Sequence, residues 1–275
     1  MDKAKRQMLT LANQPLILSL EHGVSHGAQQ LIWGEFFASR GRGIDWATNL
    51  PWANAATTLC ASAALPESGS VVAALLIRPI PSTTTAMVGC VCVDPTFRGY
   101  GLSSHLIDLA ALQLRHFDLT NLLLWTSKPA VYERVGFAVI AQERHLSLCA
   151  PFPASAASRV LTPWPTTEDR LEIGLPPFAT AGWRAAGAKA QIVFADTQLG
   201  TVLLDHSGRP GAVLDAMFAV RPGDWAVTLE AGHPLHCEAV ERRVCVDDAP
   251  GPLTMYRALG ADKAPPAYVS PAFRI

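Results

Sequence analysis

Residues 91–104 read VCVDPTFRGYGLSS and join an apolar strand to a helix. The strand is expected to end at Asp94 and Pro95, because proline has no amide with which to continue a ladder. Two glycines then lead into residues 102–117, where apolar side chains recur at helical spacing. A turn of this kind presents free backbone amides and the positive end of a helix dipole. The stretch therefore predicts an anion-binding turn within an α/β fold.

The segments around this turn predict the rest of a mixed sheet. Helices are predicted where apolar residues recur every three or four positions, over residues 25–40, 102–117 and 129–135. Strands are predicted over the apolar segments 57–64, 70–80, 85–93, 121–125 and 137–148. Two strands followed by the order β-α-β-α-β indicate an α/β fold with a central mixed sheet flanked by helices.

Composition and charge exclude several classes of partner. Hydrophobic residues make up 49% of the 275, which is enough to bury a full core. Lys and Arg total 22 against 23 Asp and Glu, so there is no positive field to attract nucleic acid. The apolar runs are much shorter than the ~20 residues of a membrane span, and Pro15 interrupts the stretch that a signal peptide would need. We therefore expect no nucleic-acid partner and no membrane.

The six cysteines are widely spaced in a chain that is long enough to fold without disulfide bonds. This predicts reduced thiols and a cytoplasmic location. Cys90 and Cys92 form the one close pair, and neither a second pair nor a histidine pair accompanies them. We therefore predict no metal site.

A second motif begins 27 positions after Arg98, where residues 125–137 read WTSKPAVYERVGF. Together the two motifs resemble the GCN5-related N-acetyltransferases (GNAT family). Residues 98–103 resemble the Arg/Gln-x-x-Gly-x-Gly/Ala pyrophosphate loop of that family, with Ser103 where Gly or Ala is usual. Residues 132–137 resemble its Tyr-Glu-x-x-Gly-Phe segment, and residues 91–95 resemble the strand that ends in Val-x-Pro. The resemblance covers residues ~20–148.

The resemblance implies a binding site for acetyl-CoA as co-substrate. In the family, two parallel strands splay apart and the pantetheine lies between them, which places it here between residues 87–93 and 121–125. Backbone groups of Val91 and Val93 would bind the pantetheine, and the amides of residues 99–104 would bind the pyrophosphate. Ser127 and Lys128, at the end of the second strand, would face the outer part of the cofactor. The predicted cofactor-binding residues are Val91, Cys92, Val93, Arg98, Gly99, Tyr100, Gly101, Leu102, Ser103, Ser104 and Ser127.

The resemblance also implies catalytic roles. Tyr132 would protonate the departing thiolate, for which a phenol with an ordinary pKa of about 10 is a suitable acid. The residues do not identify the general base. Asp45, Glu35 and His116 are candidates by chemical type alone, and Asp45 and Glu35 are favoured because His116, at the end of the long helix, suits a partner of the helix dipole. The implied function is acetyl-CoA-dependent acetylation of a primary amine on a small molecule or peptide, by a monomer or homodimer. The alternative is a non-catalytic acyl-CoA sensor that keeps the fold.

Three regions are predicted along the chain. Residues 1–150 form the catalytic domain, residues 151–180 a linker rich in Pro, Ala, Ser and Thr, and residues 181–275 a second, smaller α/β domain. The second domain repeats the element order of residues 70–148. It is either a degenerate GNAT-like unit, with Cys237 in the place of Tyr132, or an unrelated cap. Since Pro210 removes an amide from its equivalent turn, we expect this half not to bind acyl-CoA.

Overall fold

The computed structural model describes residues 5–11, 13–149, 160–166, 174–260, 269 and 274. The chain divides into two units. Unit 1 comprises Met1–Ile140, Thr254–Tyr268 and Arg274–Ile275, and unit 2 comprises Ala141–Leu253 and Val269–Phe273. Within the described ranges, no helix combines the length and apolar character needed to cross a membrane.

Unit 1 contains an antiparallel N-terminal part followed by alternating strands and helices. Its elements are β1 (Lys5–Leu11), β2 (Gln14–His22), α1 (His26–Phe36), α2 (Trp46–Asn49), β3 (Leu59–Ala64), β4 (Val71–Pro79), β5 (Thr85–Val93), α3 (Leu102–Leu114), β6 (Asn121–Thr126) and α4 (Pro129–Glu133). The strand β7 (Ala138–Cys149) then leads from unit 1 into unit 2. Short 3-10 turns lie at Ala38–Arg40, Pro51–Asn54, Pro95–Phe97 and Arg115–Phe117.

The sheet of unit 1 has the order β1-β2-β3-β4-β5-β6. Neighbouring strands are antiparallel from β1 to β5, whereas β5 and β6 are parallel. Residues 72–78 of β4 are buried without interruption, which is expected where both faces of a strand are covered. Ala28 and Ile32 place one face of α1 in a core cluster with Leu76 and Cys92. Strand β5, which precedes the predicted anion-binding turn, therefore lies between β4 and β6 and packs against α1.

Unit 2 has its own mixed sheet and core. Its further elements are β8 (Leu161–Pro163), β9 (Ala179–Ala186), β10 (Ala190–Thr197), β11 (Gly200–Gly208), α5 (Pro210–Val220), β12 (Asp224–Glu230), α6 (Pro234–Glu241) and the first part of β13 (Cys245–Ala258), which continues into unit 1 from Thr254. The strand order is β8-β9-β10-β11-β12-β7, and β11 and β12 are its parallel pair. Phe194 and Trp225 stack edge to face at 5.2 Å in the core, beside Leu214 and Met217 of α5.

Unit 2 repeats the local architecture of unit 1. The series β9-β10-β11-α5-β12-α6-β13 has the same order as β3-β4-β5-α3-β6-α4-β7. In both units the antiparallel pair that precedes the long helix contains a register shift. In both, the following parallel pair is joined over three residues only. These shared irregularities favour an internal repeat over an unrelated cap.

The structure confirms the mixed α/β fold and adds strands that the sequence pattern missed. The hairpin β1–β2 was missed because Asn13, Gln14 and Pro15 indicate a break, whereas Asn13 has a φ of 63° and turns the chain between paired strands. Residues 245–258 form one long strand, β13. Of the predicted linker, residues 151–159 and 167–173 lie outside the described residues, while residues 161–163 form β8 and residue 179 begins β9.

Candidate functional site

Strands β5 and β6 are paired at one end and separate at the other. Their ladder joins residues 85–87 to residues 121–123 and stops at Met87 and Leu123. Near the separation, Cys90 has a φ of 50°, where the register between β4 and β5 shifts. The amide of Asp94 donates to the carbonyl of Val72 in β4, at 2.8 Å. Because peptide groups alternate along a strand, those of Val91 and Val93 face away from β4.

A cavity of about 320 Å³ lies where the two strands separate. It extends from the predicted anion-binding turn to α4. Its lining residues are Val91, Val93, Phe97, Arg98, Gly99, Gly101, Leu102, Ser103, Thr126, Lys128, Val131 and Tyr132. The cavity therefore brings both sequence motifs to one site, although they lie on opposite sides of α3 in the chain.

The turn before α3 is open toward this cavity. Gly99 and Gly101 have φ values of 87° and 74°, and a Cβ built on either glycine meets no atom within 4 Å. Gly101 caps α3 without a side-chain hydrogen bond. Ser104 and His105 donate their amides to the carbonyl of Gly101, so the first amides without an intrahelical acceptor are those of residues 102 and 103. The turn thus has donors and space for an anion.

Two cationic side chains line the cavity, and their surroundings differ. Arg98 donates from Nη2 to Oε2 of Glu35 at 2.5 Å and from Nε to the carbonyl oxygen of Val93 at 2.9 Å. Lys128 lies at the end of β6 and has no ion pair within the described part of the chain. The positive charge of Arg98 is therefore balanced by a carboxylate, whereas no carboxylate among the described residues balances that of Lys128.

Tyr132 projects from the short helix α4 and is half-buried. Its ring packs edge to face against Phe137 at 6.0 Å. Burial raises the pKa of Tyr132 above its ordinary value of 10, so the phenol is protonated throughout the neutral pH range. A neutral phenol at this position can donate a hydrogen bond to an anion that forms in the cavity.

Several predicted cofactor-binding residues lie outside the cavity lining. Cys92 is buried, its Sγ donates to the carbonyl of Ala74, and burial raises the pKa of its thiol to about 12. Tyr100 and Ser127 are exposed, and Ser104 has committed its amide to α3. Sequence reasoning in turn missed Phe97, Thr126 and Val131, which line the cavity. The sequence indicated these three residues only through their proximity to the two motifs.

The two favoured candidate bases also lie outside the cavity lining. Asp45 caps α2 and accepts hydrogen bonds from the amide and the hydroxyl of Thr48, at 2.8 and 2.9 Å. Those bonds lower the pKa of Asp45, which makes its carboxylate a weaker base. Glu35 is held by Arg98.

The equivalent turn of unit 2 is covered by side chains of unit 2 itself. Pro210 is the first residue of α5 and supplies no amide. A Cβ built on Gly211 would lie 2.2 Å from Nη2 of Arg242 and 3.0 Å from Oε1 of Glu238. Arg242 also pairs with Asp215 at 2.7 Å. The first turn of α5 is therefore closed, unlike that of α3.

Comparisons with known proteins agree with the fold and with these motifs. The sequence model described as Acetyltransferase (GNAT) family matches residues 26–137. A GCN5-related N-acetyltransferase from Anabaena variabilis is 13% identical with a TM-score of 0.57, over 88% of this chain and 73% of that one. One from Kribbella flavida is 14% identical with a TM-score of 0.59, over 88% and 71%.

The repeat also has a counterpart among solved structures. A tandem GNAT protein from the clavulanic acid biosynthesis pathway is 13% identical with a TM-score of 0.56, over 90% of this chain and 100% of that one. No curated protein sequence matches the chain.

Proposed function

We propose that this chain, which carries a GNAT domain at residues 26–137, transfers the acetyl group of acetyl-CoA to a primary amine of a small molecule or peptide. The observation that carries the proposal is the continuity of one cavity from the open first turn of α3, along the unpaired edge of β5, to the phenol of Tyr132. A thioester with a diphosphate at one end and an extended amide arm requires these three features.

In the proposed complex, the pantetheine arm lies along β5 like an added strand. The peptide groups of Val91 and the amide of Val93 face the open side and supply hydrogen bonds to the pantetheine, whereas the carbonyl of Val93 already accepts from Arg98. The diphosphate lies against the amides of Leu102 and Ser103, where the helix dipole favours negative charge. The ammonium of Lys128 adds a second positive charge to the lining of the same cavity.

The reaction we propose is direct attack. The lone pair of the neutral amine forms a C–N bond with the thioester carbon, and a backbone amide of β5 stabilises the oxyanion that develops. The C–S bond then breaks, and the thiolate takes the phenolic proton of Tyr132, which solvent later replaces. The nitrogen loses its proton to water. Neither Asp45 nor Glu35 is assigned as the base, because the first caps a helix and the second is paired with Arg98.

Binding and turnover measured separately test the proposal. Calorimetry with CoA is expected to show binding, and a thiol-release assay with acetyl-CoA and a panel of arylalkyl amines, polyamines and peptides is expected to show release with at least one amine. Mass spectrometry of the amine product would show a single added acetyl group. Binding of acetyl-CoA without release for any amine would contradict the transferase and favour the non-catalytic sensor.

A further inference from the structure

A single guanidinium joins three segments of unit 1. Arg98 follows the 3-10 turn Pro95–Phe97, and its Nη2 donates to Oε2 of Glu35, the penultimate residue of α1, at 2.5 Å. Nε of the same group donates to the carbonyl of Val93, the last residue of β5, at 2.9 Å. The contact links the end of α1 and the end of β5 to the residue immediately before Gly99.

The end of α1 is held in place by the packing of this helix against the sheet. Ala28 and Ile32 are fully buried in the cluster that contains Cys92, so α1 is packed against the sheet beside β5. A carboxylate in the last turn of a helix lies near the negative end of the helix dipole, which disfavours it. The last turn of α1 contains no basic residue. The guanidinium of Arg98 therefore offsets a charge that α1 itself does not balance.

The geometry distinguishes this contact from the two roles that residue type alone suggests. A general base needs an oxygen directed at the amine, whereas Oε2 of Glu35 accepts from Arg98 and Glu35 does not line the cavity. Nor does Arg98 serve the diphosphate alone, because its Nη2 and Nε already donate to Glu35 and to Val93.

We propose that Glu35 is a positioning residue for the donor turn. It holds the guanidinium of Arg98 against the carbonyl of Val93 and so fixes the direction in which residues 99–103 present their amides. The inference rests on the proposed function for the identity of the ligand, which is CoA. Its consequence is that α1 and the diphosphate-binding turn act as one unit when CoA binds.

A double-mutant cycle tests the inference. Glu35→Ala, Arg98→Ala and the double variant are compared for CoA affinity by calorimetry in the absence of amine. We expect each single variant to raise the Kd for CoA about three- to tenfold, within the range of a charge-assisted contact. The double variant should bind no more weakly than Arg98→Ala, since the contact is lost only once. Glu67→Ala, an exposed carboxylate in the turn between β3 and β4, is the matched control and should bind normally.

Conservative variants separate positioning from base catalysis and cover the case of misfolding. Glu35→Gln keeps an acceptor oxygen and should recover much of the CoA affinity, with the pH profile of kcat unchanged. Arg98→Lys keeps the charge but loses the planar fork, so its Kd should remain raised. If Glu35 were the base, Glu35→Gln would lower kcat about 100-fold or more and leave the Kd for CoA unchanged. That result would overturn the inference, as would additive effects in the cycle.

The outcomes also separate this inference from the proposed function. If the unaltered chain binds CoA but turns over no amine, the transfer step fails and the cycle still decides the role of Glu35. If the chain turns over an amine and the two residues act independently, only the inference fails. If the chain does not bind CoA, both fail.

Discussion

Replacement of Gly101 by glutamate is the most direct test of the diphosphate-binding turn. Gly101 is the N-cap of α3 and lines the cavity, and a Cβ there points into open space. A carboxylate added at this position would therefore lie in the volume that the diphosphate is proposed to occupy. CoA binding should be lost while the rest of unit 1 remains folded.

The magnitude of this loss follows from charge and distance. A glutamate carboxylate about 5 Å from one phosphate charge, at an effective dielectric constant of about 20, costs about 3 kcal/mol. That repulsion alone weakens binding roughly 100-fold, and steric overlap adds to it. The substitution also places a side chain at a φ of 74°, which costs roughly 1–2 kcal/mol of folding stability in any L-residue.

A matched variant separates backbone strain from the loss of the site. Gly69 has a φ of 69°, and a Cβ there also meets no atom within 4 Å, but it lies in the turn between β3 and β4. Gly69→Glu and Gly101→Glu should show similar decreases in melting temperature by calorimetry, whereas only Gly101→Glu should lose CoA binding. Normal CoA affinity in a folded Gly101→Glu variant would refute the assignment of the turn.

Three other predictions concern the phenol of Tyr132, the ammonium of Lys128 and two partly buried histidines. Tyr132→Phe should lower kcat about 100-fold or more with an unchanged Kd for CoA, and equal losses in both would indicate a structural role. Lys128→Gln should raise the Kd for CoA and reduce its dependence on salt concentration, which titrations at two ionic strengths would measure; an unchanged salt dependence would place Lys128 outside the phosphate site. Burial lowers the pKa of His206 and of His233 below 6.5, so the unfolded state binds more protons than the folded state. The free energy of unfolding is therefore highest above pH 6.5 and decreases as the pH falls toward the pKa values of the folded state. Urea unfolding across this range should show a weaker pH dependence for the His206→Gln/His233→Asn variant, and an identical one would contradict the reasoning.

The sequence predicted those parts of the site that are encoded locally. The proline that ends β5, the glycines that open the turn and the apolar stripe of α3 all lie within 24 consecutive positions, from residue 91 to residue 114. The tyrosine motif follows a recognisable buried strand. Each of these features depends on neighbours in the chain, so residue order alone indicates it.

Contacts between distant residues could not be predicted in the same way. Glu35 and Arg98 are 63 positions apart, and nothing in either segment specifies the other. Asp45 has the right chemistry for a base, but its hydrogen bonds to Thr48 become apparent only with the fold. Strand β1 was missed because Asn13 adopts a left-handed conformation that the neighbouring residues do not predict.

Under the proposed function, the closed first turn of α5 predicts how many acyl donors one polypeptide binds. Arg242 and Glu238 already lie against Gly211, and their removal would not restore the amide that Pro210 lacks. Titration with CoA should therefore saturate at one equivalent per polypeptide, with a hyperbolic isotherm for the isolated chain. A second copy of the architecture would then add no second binding site for a thioester.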